Sequence, residues 1–368
     1  MDNQVEGFTY REIMSQGQSW DSTLQGLASL EAGVVASLRT SVAWPAETLF
    51  IGCGSTYYLA LSAASFWSKI TGLTARAMPA SELWLYPDCI LPRKGGVGQS
   101  PVHFTGNERR PYLLVAISRS GETTETLRAV EVFRKRGAGR CAVVTCYARS
   151  TLARGADLLL LTREAEEESV AQTRSFTSMY ILLQAIACLV ADQPGLGRHL
   201  RRAGGNFSRL IEEYQVLVKG LAENDRFDQL VFLGSGVNYG LACEAMLKMK
   251  EMSLTPSEAF HFMEFRHGPK SVVGPDTLLV GLVNESVSTH ENRVLAEMRS
   301  LGATVLAISE SENTVAADYH VSLRSGLDYL ASRVLTLPLL QLMACYRSLY
   351  KGLNPDRPLN LDAVVRLD

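Results

Sequence analysis

Short apolar runs alternate with amphipathic stretches along most of the chain. Residues 6–37 carry apolar positions at helical spacing. The run Thr-Leu-Phe-Ile-Gly at 48–52 then shows no polar face and stops at Gly52-Cys53-Gly54-Ser55-Thr56. A short apolar run bounded by glycines predicts a buried strand, and the helical pattern through residue 67 predicts a helix opening at that strand's carboxyl end. The same unit returns at 230–234, with Gly234-Ser235-Gly236 as its turn and 239–252 as its helix.

Further strands are expected at 112–117, 140–145 and 158–161, with helices at 122–136 and 149–155. Strand 277–283, helix 291–301 and strand 304–308 repeat that order in the second half. Strands alternating with helices argue for parallel sheets covered on both faces. The expectation is an α/β chain of two duplicated, doubly wound parallel-sheet domains of flavodoxin-like type, 1–200 and 201–368, joined in the polar segment 193–207. The Gly-rich, charged insertion 93–110 reads as a surface loop, or as a flap over a site.

Length and composition fit this picture: 368 residues make room for about two domains. Lys and Arg number 36 against 38 Asp and Glu. No basic field is available for nucleic acid or an anionic membrane, so an anionic ligand must be met by a local site. The first 18 residues lack the basic stretch and apolar run of a secretory signal. The richest apolar stretch, 179–190, contains Gln184 and is shorter than the ~20 residues of a membrane span. Seven scattered cysteines read as free thiols in a reducing compartment, and no Cys or His spacing fits a metal. A cytoplasmic protein without metal or cofactor is expected.

Candidate chemistry lies at strand ends. Ser118-Arg119-Ser120-Gly121-Glu122-Thr123 falls where a strand gives way to a helix. A phosphate there would meet free backbone N–H groups, the positive end of the helix dipole, three hydroxyls and one guanidinium. A plain helix cap is the competing reading, but it needs one hydroxyl. Gly54-Ser55-Thr56 and the segment 168–175 supply two more hydroxyl-bearing turns, and in an open α/β sheet such ends converge on one crevice. In the second half Asn284-Glu285-Ser286 takes the equivalent place and is unsuited to phosphate, so one anion site is expected.

The helix at 239–252 carries Glu244, Lys248 and Glu251 at i, i+4 and i+7 on one face, with mostly apolar or small residues elsewhere. A solvated ladder of this kind contributes only about 0.3–0.5 kcal/mol per pair. A narrow charged stripe on an otherwise apolar helix fits a polar cleft better, because a surface helix normally shows a broad polar face. Beyond it lies Glu264-Phe265-Arg266-His267-Gly268-Pro269, where a lone histidine before Gly-Pro is ordinarily a turn residue.

These stretches resemble the tandem sugar-isomerase (SIS) domain family: the isomerase half of glutamine–fructose-6-phosphate amidotransferase, and stand-alone hexosamine-6-phosphate deaminase/isomerases and tagatose-6-phosphate ketose/aldose isomerases. The resemblance runs from residue 10 to residue 358 and is most specific at 118–123, 168–179 and 244–269. It implies phosphate ligands at Thr56, Ser118, Ser120 and Thr123, with Arg119 adding charge where the amidotransferase motif has Gln. It places Gly54, Ser55, Val170 and Gln172 along the sugar. Glu251 becomes the enediol proton carrier and Lys248 the helix lysine. His267 becomes the ring-opening group, reaching the neighbouring subunit's site, which implies a homodimer.

One departure bears on chemistry. The family's C-terminal N-L-A-K, whose lysine forms a Schiff base, reads here Asn360-Leu361-Asp362-Ala363. No glutaminase domain precedes the first half in this sequence, so amidotransfer from glutamine is not expected. The leading expectation is an aldose–ketose isomerase acting on a hexose- or hexosamine-6-phosphate, with ammonia lost when the substrate carries nitrogen. A non-catalytic sugar-phosphate-binding regulator and a fructosamine-6-phosphate deglycase are the alternatives.

Overall fold

In the computed structural model, which describes residues 7–42, 47–91, 111–313 and 315–367, the apolar runs form two five-stranded sheets. The insertion 93–110 lies outside the described residues. The first sheet holds β1 (Thr48–Gly52), β2 (Ala75–Pro79), β3 (Tyr112–Ile117), β4 (Gly139–Thr145) and β5 (Leu158–Leu161), in the order β2-β1-β3-β4-β5. The second holds β6 (Gln229–Leu233), β7 (Ser257–Phe260), β8 (Thr277–Leu282), β9 (Thr304–Ser309) and β10 (Tyr319–Ser322). Its order, β7-β6-β8-β9-β10, repeats the first, and every strand pair in both is parallel. The chain is a duplicated, doubly wound α/β fold.

Inner strands are buried on both faces, which explains their unbroken apolar sequences. The strands without a clear apolar run in the sequence, β2, β7 and β10, are all edge strands and only partly buried. With one side open they tolerate Arg76, Glu258 and His320, and the hydrophobic signal fades. The expected helix at 6–37 is instead two, Phe8–Met14 and Gln16–Val42, divided at Ser15.

Both sheets face a common core built from helices Ser55–Thr71, Arg174–Val190, Gly204–Ala222, Val237–Ser253 and Thr336–Tyr350. Two smaller cores cover the outer faces, one per sheet. Helix Arg174–Val190 is buried from Ser175 through Cys188, so its apolar sequence belongs to the protein interior. Among the described residues no helix is long and apolar enough to cross a membrane.

Helices Ser55–Thr71 and Val237–Ser253 are the same element of the two halves. Each follows a turn glycine in a conformation that side chains resist, Gly54 at φ 54, ψ −124 and Gly236 at φ 59, ψ −127. The two helices cross at Gly240, where any Cβ would collide with the carbonyl oxygen of Tyr58. Ser62 Oγ seals the crossing by donating to Val237 O at 2.8 Å. Through this crossing the charged stripe of the second half reaches the glycine turn of the first.

Candidate active site

The first turn of helix Ser55–Thr71 and the stripe on helix Val237–Ser253 meet directly. Lys248 is fully buried, and its ammonium donates to Ser55 Oγ at 3.0 Å and to a carboxylate oxygen of Glu251. Glu244 Oε1 lies 3.2 Å from the same nitrogen, an ion contact without hydrogen-bond alignment. Two carboxylates therefore hold one ammonium away from bulk water, and the Glu251 side chain keeps 12% exposure.

Burial alone would pull the Lys248 ammonium toward neutrality, but Glu244 and Glu251 outweigh it and hold its pKa above the usual lysine value. Burial pushes the Glu244 carboxyl up to about 8, with Lys248 pulling against it and Glu251 adding to it. The Glu244 carboxyl and the Lys248 ammonium thus each hold a proton more tightly in the fold than in water. A slightly exposed carboxyl group backed by a buried cation is equipped to exchange a proton with a bound molecule.

The loop 118–123 sits where β3 ends, at the point where the strand order reverses. Ser118 Oγ accepts from Gly121 N at 3.1 Å and lies 3.4 Å from Thr123 Oγ1. Ser120 Oγ accepts from Glu122 N at 3.2 Å. Gly121 has φ 64, and a Cβ there would collide with Ser150, so the tight turn requires glycine. Thr123 is the N-cap residue of helix Thr124–Lys135, yet its hydroxyl makes no capping bond. A cap is thus not what its hydroxyl is for in this structure. Thr56 differs: its hydroxyl accepts from Cys53 N and donates to Cys53 O, both at 2.9 Å, and shapes the glycine turn.

Arg119, expected beside the phosphate, turns inward. Nη1 donates to Glu167 Oε2 and to Ser169 O, both at 3.2 Å. Nη2 donates to Val170 O at 3.0 Å and to Ala363 O at 3.2 Å. Val170 is fixed on its other side by donating its N–H to Asp356 O at 3.0 Å. Gln172 beside it keeps a buried Oε1 with no hydrogen-bond partner.

His267 lies apart from Lys248 and Glu251 in the chain's own contacts. It is exposed, follows the short helix Phe262–Phe265 and precedes Gly268 at φ 120. Its ring makes no hydrogen bond or ion pair among the described residues, while its backbone N–H donates to Glu264 O at 2.9 Å.

Three acidic residues beyond the expected site set support it. Glu244 was visible in the helical stripe. Glu12 is buried and accepts from Glu168 N at 2.6 Å and from the Ser169 hydroxyl. Burial, with the nearby Glu167 carboxylate, raises the pKa of Glu12. Glu167 accepts from the backbone and hydroxyls of Thr173 and Ser175, organising the start of helix Arg174–Val190. Among the described residues no cluster of three or more His, Cys, Asp or Glu is placed to hold a metal ion.

Comparison with known proteins agrees with this architecture. The SIS domain model matches residues 107–189 and 226–346. Glutamine–fructose-6-phosphate aminotransferase [isomerizing] of Sulfolobus acidocaldarius is 28% identical over 366 residues, covering 98% of this chain and 57% of the relative. The chain thus spans little more than half the length of the curated relatives it matches. Among solved structures, glucosamine-6-phosphate deaminase of Thermotoga maritima aligns with TM-score 0.78 and 28% identity, over 98% of this chain and 100% of that one. Tagatose-6-phosphate ketose/aldose isomerase of Escherichia coli aligns with TM-score 0.83 and 23% identity, over 97% and 96%, a likeness of fold. With both halves matched and the crevice built at their meeting point, the chain belongs to the SIS domain family as a tandem member, homologous to the isomerase half of the aminotransferase.

Proposed function

We propose that the protein is an aldose–ketose isomerase for a hexose- or hexosamine-6-phosphate, releasing ammonia when the substrate carries a 2-amino group. The observation that carries this reading is the contact of Lys248 with Ser55 and Glu251, which brings an acidic helix and a hydroxyl-rich turn from opposite halves to one point. The phosphate sits on Ser118, Ser120 and Thr123 at the N-terminus of helix Thr124–Lys135, with Thr56 holding the adjoining turn. Gly54, Ser55, Val170 and Gln172 line the sugar, and the unpaired Gln172 Oε1 is an acceptor for a sugar hydroxyl.

Glu251 removes the proton from the carbon beside the carbonyl. The electron pair left behind forms an enediolate, the hydroxyl proton passes to the former carbonyl oxygen, and the same carboxyl returns its proton to the adjacent carbon. Lys248 holds the Glu251 carboxylate in place during the step. His267 opens the sugar ring in the site of a neighbouring copy, so the working unit is a homodimer, with residues 1–200 supplying the phosphate site and 201–368 the catalytic helix. The exposed, unpartnered ring of His267 supports that placement.

The panel that tests this is a set of hexose- and hexosamine-6-phosphates, assayed for ketose, aldose and ammonia. Glu251→Gln should reduce turnover by about 10²–10⁴-fold and leave sugar-phosphate affinity within a few-fold. Binding without turnover of any of them, together with indifference to Glu251→Gln, would instead describe a sugar-phosphate-responsive regulator. Ala363 leaves room for one second reading. With a methyl group at that position no imine forms there, a feature compatible with cleavage of a fructosamine-6-phosphate, whose amine is already attached to the sugar.

A further inference from the structure

Arg119 is 7% exposed, and both terminal nitrogens of its guanidinium donate to protein acceptors. Those acceptors come from two distant parts of the chain: the 167–170 loop, through the Glu167 side chain and the carbonyls of Ser169 and Val170, and the carbonyl of Ala363 near the C-terminus. The Arg119 carbonyl is itself fixed, accepting from Thr145 Oγ1 at 2.9 Å and Cys146 N at 3.1 Å. The residue therefore stands on a rigid base at the end of β3 and reaches across the crevice.

The C-terminal tail has few other attachments. Its side chains Leu361, Val365 and Leu367 are 40%, 51% and 51% exposed, so little apolar burial holds it down. Among the described residues, the hydrogen bonds holding 361–367 to the rest of the fold go to Arg119 and Thr124. Arg119 Nη2 donates to Ala363 O, Thr124 N donates to Val365 O at 3.4 Å, and Leu367 N donates to Thr124 Oγ1 at 3.0 Å. Thr124 is the first residue of the helix that opens behind Ser118, Ser120 and Thr123. The tail thus docks on the phosphate loop's own flank.

We propose that Arg119 is a positioning residue whose guanidinium latches the C-terminal tail and the 167–170 loop onto the phosphate loop, closing the crevice without touching the phosphate. A planar fork is well shaped for this, because donors on two nitrogens serve four acceptors in diverging directions. A glutamine offers two N–H groups on one nitrogen and a lysine a single ammonium, so neither spans the loop and the tail together. The fully buried Glu167 carboxylate balances the charge and makes burial of the guanidinium tolerable. Glu12 holds the loop from the opposite side through Glu168 N and the Ser169 hydroxyl, so the loop is fixed between an acidic and a basic anchor.

The latch itself is independent of the proposed reaction. Its effect on substrate rests on reading 118–123 as the phosphate site. Amide hydrogen exchange of the tail and of the 167–171 segment, on ligand-free full-length protein, separates the two. Arg119→Gln should speed exchange of the Leu367 amide and of the 168–170 amides by about tenfold or more, and Arg119→Lys should do much the same despite keeping the charge. On a hexosamine-6-phosphate, Arg119→Gln should raise KM several-fold with a smaller change in kcat, while affinity for inorganic phosphate stays within about twofold. Unchanged tail exchange in Arg119→Gln, or full restoration by Arg119→Lys, overturns the latch. Equal weakening of inorganic and sugar phosphate would make Arg119 a direct phosphate ligand and overturns the positioning role. If no sugar phosphate is turned over, the exchange result still decides the latch and only the functional reading falls.

Discussion

The Lys248 ammonium, carried by the second half, lies 3.0 Å from the Ser55 hydroxyl, carried by the first. Ser55 opens a helix of the first half, and Lys248 is a buried cation already paired with Glu244 and Glu251 of its own helix, so the contact ties that ion cluster to the other half. Their contact joins the two halves of a duplicated fold at one buried point.

Glu244 makes the stability of that site depend on pH. Its folded pKa is raised to about 8, so between about pH 4.5 and pH 8 the folded protein holds a proton that the unfolded chain has released. Stability from this group is complete below the unfolded value and is lost as pH rises through the folded one. Urea unfolding midpoints should fall from pH 5.5 to pH 8 in the wild type, and Glu244→Gln should flatten that fall. An unaltered pH dependence in Glu244→Gln would count against a protonated Glu244.

Thr123 offers a way to separate ligand binding from helix capping. Its hydroxyl makes no cap bond, whereas Ser150 Oγ accepts from Ala153 N at 3.3 Å. Thr123→Ala should therefore leave thermal stability within about 0.5 kcal/mol, and Ser150→Ala should lose about 1 kcal/mol. Phosphate affinity should respond in the opposite order, with Thr123→Ala weakening it by a hydrogen bond to a charged group, about 1.5–3 kcal/mol. Calorimetric titration with inorganic phosphate and thermal melts of both variants provide the comparison.

If His267 serves a neighbouring copy, inactive variants should rescue one another. Glu251→Gln and His267→Ala proteins, each inactive alone, should on mixing form hybrids in which one of two sites is whole. Subunit exchange at equal amounts should restore about a quarter of wild-type turnover. No recovery after demonstrated exchange would mean that both residues act within one chain, or that His267 has no catalytic part.

The thiols should sort by burial. Cys141, Cys146, Cys188 and Cys345 are buried with pKa values pushed up to about 12, and Cys243 to about 11. Cys89 is exposed. An aromatic disulfide reagent at pH 8 should label Cys89 fast in the native protein and these five only on unfolding. Rapid native labelling of any of the five would contradict the packing of the core.

Much of this arrangement was legible in the chain because burial leaves a mark on side chains. Phe50, Val115, Phe232 and Val280 lie in strands covered on both faces, so their segments read as unbroken apolar runs. Lys248 stood out because it shares one narrow charged stripe with Glu244 and Glu251 on a helix otherwise rich in apolar and small residues. What stayed hidden is carried by backbone groups. The carbonyls of Ser169, Val170 and Ala363 that receive Arg119 exist in any sequence, and nothing in their side chains announces the partnership. Glu12 escaped notice for a related reason: it is one acidic residue on an amphipathic helix until the fold brings Ser169 against it.

The backbone crossing at Gly240 and Tyr58 has a mechanical consequence. Two helices in such close register act as a weld, so the halves cannot swing apart like the jaws of a clamshell. On the proposed function, a sugar would then enter and leave at the periphery, past the light strap of C-terminal chain, and the rate at which that strap lifts would cap turnover.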